Sequence, residues 1–304
     1  MIKSNYKSCR MLLCRIFFVF AAFLFSASLY AHPFLWKVSN DEHEFYMFGT
    51  IHLPDPRVTS LPKEVNNALA DASHFYAELD LSEENTMQIK QSMWLPEKKD
   101  LYDYLDDELE ANISNYLQSV NNELNLEFFS KQKIWVLAIT LTVLEQQLKF
   151  PGHAPLDKVL YQKALSLGLN SGGLETIEEQ LSVFESMTTD QQLIFLKDTV
   201  DFMRLAKAND QDFVEHSINA YLAGDLNDLM DHLMSYMKNN EFYEQLLERL
   251  INQRNLKMSE RMLSLVEQTP QEKYFFAIGA GHFWGEKGIH SILKQQGYNV
   301  DTVE

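Results

Sequence analysis

The chain has 304 residues, of which 46% are hydrophobic, eleven are glycine and two are cysteine. A chain of this kind can bury a sizeable core, as one large domain or as two average ones. Its formal net charge of -17 argues against nucleic acid or anionic lipid as the main partner, because both attract proteins rich in Lys and Arg. Two cysteines are too few for a disulfide framework, a cysteine-based zinc site or an iron–sulfur cluster.

The amino-terminal residues have the layout of an export signal. Four Lys and Arg residues precede a mostly apolar stretch from Ile16 to Leu29, and Ala31 follows it. This pattern predicts a Sec signal peptide over residues 1–31, with an uncleaved anchor as the alternative. Cleavage would leave 273 residues with a net charge of -21 and no cysteine. We therefore expect an exported protein, periplasmic or secreted, with no stable membrane span, whose metal ligands, if any, are His, Asp or Glu.

Residues 32–304 contain no low-complexity linker and no Pro/Gly-rich hinge, which favours a single domain. Aromatic and apolar runs predict strands over 44–48, 74–81, 273–278 and 298–303. A further segment, 169–176, is interpreted as either a strand or a loop.

The middle of the chain has a different pattern. From about residue 84 to residue 265, apolar residues recur at three- and four-residue spacing, as in the row from Ile134 to Leu148, and this spacing predicts helices. Helices are also predicted over 61–72, 214–222 and 287–296. Together these elements predict an α/β or α+β domain, in which N- and C-terminal strands form a central β-sheet and the helices between them form a large insert.

Two segments repeat one motif, an apolar strand followed by Gly-x-x-His. The first ends in Gly49-x-x-His52 and the second in Gly279-x-x-His282. Glycine at a strand end permits a tight turn or a close approach of backbone. Each histidine would then lie at the carboxyl end of its strand, where open α/β sheets place their sites. A polar turn is the simpler interpretation of either motif alone, but their duplication behind matching strands favours a shared site.

Glu78 strengthens this hypothesis, because its carboxylate interrupts an apolar predicted strand. A buried carboxylate without partners is costly, so we expect it to contact cationic groups or a metal. His52, Glu78 and His282 would make an open three-ligand site with a position for water. Such a set suits Zn, Mn, Co or Fe, and the ligand types do not decide among them.

The two Gly-x-x-His motifs with an intervening glutamate resemble the TraB/GumN family, which is related to the TIKI metalloproteases. The resemblance covers nearly the whole of residues 34–303 and predicts one TraB/GumN-like domain over 32–304. The further matching positions are Asp157, Gly173-Leu174-Glu175-Thr176, Glu179-Gln180, Tyr221-Leu222-Ala223-Gly224-Asp225, Arg254-Asn255 and Gly285.

The resemblance implies an exported divalent-metal hydrolase that acts on a peptide or protein, with His52, Glu78 and His282 as the metal-binding set. For TIKI proteins it implies peptide cleavage that depends on Mn²⁺ or Co²⁺, and Zn²⁺ is also compatible with these ligands. Some bacterial members look like peptide-signal shields or accessories of polysaccharide biosynthesis. A binding protein without turnover is therefore the alternative, and a non-haem iron oxygenase is a weaker one. The sequence makes no prediction of oligomeric state.

Three further residues are candidates for catalysis. Glu175 is the candidate general base, Arg254 would hold a substrate carboxylate or the oxyanion, and Asn255 would orient a ligand or a carbonyl. Asp80 is a candidate partner for a histidine.

Simpler interpretations compete with these roles. Arg254 and Asn255 could form a solvated helix end, and Asp157, Glu175 and Gln180 could cap helices. Thr176 and Glu179 have the spacing of a capping box.

Overall fold

The computed structural model describes residues 34–235, 237–238 and 240–303, which fold around a six-stranded mixed sheet. In chain order the strands are β1 (Leu35–Ser39), β2 (Glu44–Thr50), β3 (His74–Leu79), β4 (Asn170–Glu175), β5 (Tyr274–Gly279) and β6 (Asn299–Thr302). The order across the sheet is β4-β3-β5-β2-β1-β6. The first four strands of that order run parallel, and β1 lies antiparallel to both β2 and β6. The carboxyl ends of four neighbouring strands therefore meet at one edge.

Strand β5 lies at the centre of the parallel part, and all six of its residues are buried. Its uninterrupted apolar sequence is typical of a parallel strand that is covered on both faces. Phe275 stacks on Phe75 of β3, on one side of β5, with ring centroids 6.1 Å apart. Phe276 meets Phe45 of β2, on the other side, edge to face at 5.5 Å. Aromatic packing of this kind fixes the register of β2 and β3 against β5.

The helices surround the sheet and fill the middle of the chain. They are α1 (Pro56–Thr59), α2 (Lys63–Asp71), α3 (Glu83–Ser92), α4 (Asp107–Val120), α5 (Ile134–Lys149), α6 (Leu156–Ser166), α7 (Ile177–Glu185), α8 (Thr189–Ala208), α9 (Phe213–Leu222), α10 (Leu226–Ser235), α11 (Glu241–Leu247), α12 (Gln253–Gln268) and α13 (Ile289–Gln295). A π-helical turn, Glu248–Asn252, joins α11 to α12.

Helix α5 connects two apolar cores. Its Leu137 and Leu141 are fully buried in a cluster that also contains Ile113 of α4 and Leu196 of α8. Two residues further on, Val143 packs against the core that surrounds the sheet. The helical middle section is therefore attached to the carboxyl edge of the sheet through α5.

The predicted α/β architecture is confirmed, with two differences. Strand β1 is missing from the sequence prediction, although Leu35 and Trp36 are buried on it. Segment 169–176 is strand β4, so the sheet takes one strand from the middle of the chain as well as from both ends. The predicted Thr176–Glu179 capping box is confirmed at the start of α7.

The predicted signal peptide, residues 1–31, lies outside the described residues, so the division into a leader and one domain stays a prediction. In the ranges that the structure describes, no helix is both long enough and apolar enough to cross a membrane.

Replacing Gly173 tests the close approach of β4 to β3. An added Cβ would lie 2.4 Å from the backbone nitrogen of Asp80, and backbone cannot rotate away. We expect Gly173→Ala to lower the free energy of unfolding by about 1–3 kcal/mol in urea titrations. Gly172→Ala is the matched control, because its Cβ would meet only the ring of Tyr76, which can move. Equal losses for the two variants would contradict this packing.

Candidate functional site

Four parallel strands deliver the predicted site residues to one edge of the sheet. Thr50 at the end of β2 pairs with Gly279 at the end of β5, and His52 and His282 follow these positions. Glu78 lies near the end of β3, and Glu175 ends β4 opposite Leu79. The structure thus brings together two histidines and two glutamates from distant parts of the chain, as expected where parallel strands end.

The carboxylate of Glu78 is buried and has partners on both oxygens. Its Oε1 accepts a hydrogen bond of 2.7 Å from the backbone nitrogen of Gly279. Its Oε2 accepts hydrogen bonds from Arg254 Nη2 at 2.5 Å and from Gln180 Nε2 at 3.0 Å. Burial alone would raise the pKa of Glu78, but the guanidinium of Arg254 and the Gly279 N–H hold it well below its usual range. Glu78 is therefore ionised.

Arg254 lies in the first turn of α12, directly after the π-helical turn. Its side chain is 9% exposed, so the interpretation of a solvated helix end is wrong. Besides Glu78, the guanidinium binds Glu175, with Nε–Oε distances of 3.0 Å and an Nη2–Oε2 distance of 2.6 Å. Nη1 donates to the carbonyl of Leu250 in the π-helical turn. Arg254 is thus held between two buried carboxylates.

Glu175 lies behind Arg254. Burial raises the pKa of Glu175, although Arg254 opposes this shift. Both oxygens accept hydrogen bonds from the guanidinium, and the residue lines a small cavity apart from the histidines, beside Glu179 and Lys257. A general base must reach the water or substrate that it deprotonates. This position instead suits a residue that holds Arg254.

His282 is oriented by Asn255, the other predicted residue of α12. The amide nitrogen of Asn255 donates to the carbonyl oxygen of Lys287 at 2.8 Å, so its Oδ1 must face Nδ1 of His282, 2.6 Å away. Nδ1 is therefore the protonated nitrogen of His282, and Nε2 carries a lone pair. Burial lowers the pKa of His282 to about 4, which keeps the ring neutral.

His52 is oriented in the same way by Asp157. Nδ1 donates to Oδ2 of Asp157 at 2.6 Å, and the hydroxyl of Thr50 donates to Oδ1 at 2.6 Å. The carboxylate of Asp157 raises the pKa of His52 to about 9, but the side chain is 65% exposed, so water weakens this effect. Asp157 lies in the first turn of α6 without capping it, which corrects the capping interpretation.

The two imidazoles present their Nε2 atoms to the same oxygen. Nε2 of His52 is 3.9 Å from Oε1 of Glu78, and Nε2 of His282 is 3.8 Å from it. An added Cβ at Gly279 would lie 2.9 Å from that oxygen and 3.6 Å from Nε2 of His52. Because Gly279 has no Cβ, a small space remains between its backbone and the side chains of His52, Glu78 and His282. We call this space the cradle.

Two other sequence interpretations need correction. Asp80 accepts hydrogen bonds from the hydroxyl of Tyr161 and the backbone of Ser82, and within the described part of the chain it makes no hydrogen bond to a histidine. Gln180 reaches Glu78 from the first turn of α7 instead of capping the helix.

Two cavities open onto this site. The first, of about 570 Å³, and the second, of about 330 Å³, are both lined by His52, Glu78 and Arg254. His282 lines the second. Concave, largely apolar cavities with a few converging polar groups are typical of ligand sites.

Comparison with known proteins identifies the family. The model of the TraB/PrgY/gumN family matches residues 34–302, which is nearly all of the described chain. The chain belongs to the TraB/PrgY/gumN family. Among its relatives, Metalloprotease TIKI1 of Danio rerio is 26% identical over 89% of this chain and 63% of its own length. Metalloprotease TIKI1 of Homo sapiens is 27% identical over 89% and 62%.

A Metalloprotease TIKI homolog of Nematostella vectensis is 27% identical over 90% of this chain and 67% of its own length. This TraB/PrgY/gumN chain spans about three fifths of the length of the TIKI1 relatives. No solved structure matches it significantly.

The ion pairs of Arg254 give a stability prediction. Glu175→Ala leaves a buried guanidinium with one carboxylate fewer, and breaking a buried pair costs about 3–5 kcal/mol. The matched control is Glu179→Ala, which removes a more exposed ion pair with Arg261 and should cost about 1 kcal/mol. Urea unfolding of both variants measures the difference. Equal losses would show that the Glu175–Arg254 pair does not hold the strand end.

Proposed function

We propose that this chain is a metal-dependent hydrolase that cleaves peptides, with His52, Glu78 and His282 as the ligands of one divalent cation. The observation that carries the proposal is the convergence of two imidazole Nε2 atoms on one carboxylate oxygen, over a glycine that leaves space between them. An Nε2 lone pair on His282 and an ionised oxygen repel each other unless a cation or a donor lies between them. The names of the TIKI relatives support the same chemistry.

The outer contacts of the three side chains support a metal site. Histidines that bind metals almost always donate their other ring N–H to a carboxylate or a carbonyl oxygen. His52 does so to Asp157, and His282 donates to the amide oxygen of Asn255. These contacts fix the tautomer and the direction of each ring.

Two of the three distances between the proposed ligands lie within a few tenths of an ångström of those around a bound cation. Among the described residues, no three His, Cys, Asp or Glu side chains form a ready-made metal cage. The Nε2–Oε1 distances of 3.8 and 3.9 Å exceed the separation between ligands of a tetrahedral ion, which is about 3.4 Å for bonds of 2.1 Å. The side chain of His52 is 65% exposed, so it can move by the few tenths of an ångström required.

The charge of the buried cluster also favours a cation. Glu78 and Glu175 share the one guanidinium of Arg254, and a cation beside Oε1 would give Glu78 a second positive partner. We propose Mn²⁺ or Co²⁺, and Zn²⁺ also suits imidazole and carboxylate ligands. When bound, such a cation supplies a Lewis acid that activates water and polarises a carbonyl group.

Arg254 and Glu175 have supporting roles in this proposal. Arg254 and Gln180 occupy Oε2 of Glu78, which leaves Oε1 directed at the cradle. Glu175 holds Arg254 in that position, and we assign it this role in place of the general base. Asn255 orients His282, as the sequence hypothesis of a ligand-orienting residue proposed.

The substrate in this proposal is a peptide or protein, and the signal-peptide pattern of residues 1–31 supports action after export, in the periplasm or outside the cell. Binding of a peptide without turnover is the second candidate function. One observation favours it: Arg254, Gln180 and Gly279 already engage both oxygens of Glu78.

His52→Ala tests the proposal with little risk to folding, because the side chain is exposed. We expect a loss of Mn²⁺ from the purified protein by elemental analysis and a decrease of more than about 100-fold in peptide cleavage. His153→Ala is the matched control, since His153 is also exposed and lies outside both cavities. A His52→Ala protein that keeps its metal would sink the ligand assignment. Unchanged peptide binding without turnover in either protein would favour the second function.

Gly279→Ala tests the cradle itself. The added methyl group would crowd Oε1 of Glu78, so metal content should fall by at least about 10-fold while the imidazoles and the carboxylate remain. Gly281→Ala is the control within the same motif, because its Cβ would lie 3.3 Å from the flexible side chain of Met230. Equal metal uptake by the two variants would mean that the cation does not lie over Gly279.

A further inference from the structure

The two cavities at the site share one boundary. His52, Glu78, Val143, Leu250 and Arg254 line both of them, so each cavity reaches the proposed reaction centre. Val143 comes from α5 and Leu250 from the π-helical turn. These two apolar side chains, with the polar residues, form the border between the cavities.

Away from this border both cavities are apolar. The first is lined by residues of α3, α5 and α7 and their flanks, among them Met93, Trp135, Val136, Ile139, Leu181 and Phe184. The second is lined by residues after β2 and from α9 and α10, among them Ile51, Leu53, Val214, Leu229 and Leu233. Volumes of about 570 and 330 Å³ accommodate large side chains. Burying an apolar side chain in each would contribute binding free energy on both sides of the centre.

The charged groups of the cavities already have partners. Among the described residues that line them, Arg254 is the only Lys or Arg, and it is bound to Glu78 and Glu175. The carboxylates that line them are Glu78 and Asp157, which bind Arg254 and His52 respectively. Neither cavity therefore offers a free cation for a terminal carboxylate or a free carboxylate for a terminal ammonium group.

We infer that the substrate is an internal segment of a peptide chain, in which the cleaved bond lies between two bulky apolar side chains, one in each cavity. This inference rests on the proposed function and specifies its substrate. Water adds across the peptide bond: its oxygen bonds to the carbonyl carbon, the C–N bond breaks, and the amine takes a proton. The products are a new carboxylate and a new amine.

Helix α5 contributes selectivity residues to both cavities. Ile139 lines only the first cavity and Thr142 lines only the second, although they lie three positions apart on the same helix. Both are partly exposed and line a cavity, so a larger side chain at either position would reduce the space in that cavity. The helical middle section is thus the wall of a substrate groove in this inference.

The experiment uses the full chain with Mn²⁺ and ten-residue peptides with a central Phe-Leu pair in a background of Ser and Thr, with both ends blocked. We expect cleavage between Phe and Leu, and a decrease of at least about 10-fold in kcat/KM when Ser replaces either residue. Peptides with unblocked ends should show no higher kcat/KM than blocked ones. Ile139→Phe should lower activity toward peptides with a large residue on one side of the cleaved bond. Thr142→Phe should lower activity toward peptides with a large residue on the other side. Leu148→Phe is the control, since Leu148 is exposed on α5 and lines neither cavity.

The outcomes separate this inference from the proposed function. Cleavage without an apolar preference, or cleavage that requires a free terminus, would overturn the inference and leave the hydrolase intact. If the wild type cleaves none of the peptides, the proposed hydrolase function is overturned. Fluorescence anisotropy with labelled forms of the same peptides then measures whether the two cavities still bind them. If binding is lost when Ser replaces either Phe or Leu, the two apolar subsites are supported. If binding is unchanged by both replacements, the two apolar subsites are overturned as well.

Discussion

The guanidinium of Arg254 between Glu78 and Glu175 is the interaction on which the rest of this site depends. The three side chains come from α12, β3 and β4, and each is at most 9% exposed. Taking such charges out of water is costly, and only close pairing with multiple hydrogen bonds offsets that cost. Arg254 therefore fixes where α12 lies against the ends of the strands. The same contact orients Glu78, which has Oε2 occupied and Oε1 directed toward the histidines.

The position of α12 also determines the second histidine. Asn255 follows Arg254 in the chain, and its amide holds His282 in one tautomer. The first histidine is held independently, by Asp157 at the start of α6 and through it by Thr50. The site is therefore assembled from both ends of the chain and from segments between them.

The sequence predicts the parts of the site that depend on local pattern. Gly-x-x-His after an apolar strand, twice, and a glutamate within an apolar strand identify His52, His282 and Glu78, and the strands at the two ends of the chain predict the sheet. Pairings between distant residues leave no such pattern. Arg254 is 176 positions from Glu78, and Asp157 is 105 from His52, so a charge on a helix looks the same whether it is solvated or buried against a partner. The predicted histidine partner Asp80 is wrong for the same reason, since its contacts with Tyr161 and Ser82 leave no local pattern. Strand β1 is missed because its pairing with β2 and β6, from the two ends of the chain, leaves no local pattern in its five residues.

The central claim is that one cation lies between His52, Glu78 and His282. Anomalous diffraction at the manganese absorption edge, from crystals of the full chain grown with Mn²⁺, tests it most directly. The account predicts a single strong peak at bonding distance, about 2.0–2.2 Å, from both Nε2 atoms and from Oε1 of Glu78, with Arg254 still on Oε2. A peak elsewhere, or no peak beside Oε1 and a protein donor other than the Gly279 N–H in its place, would contradict it.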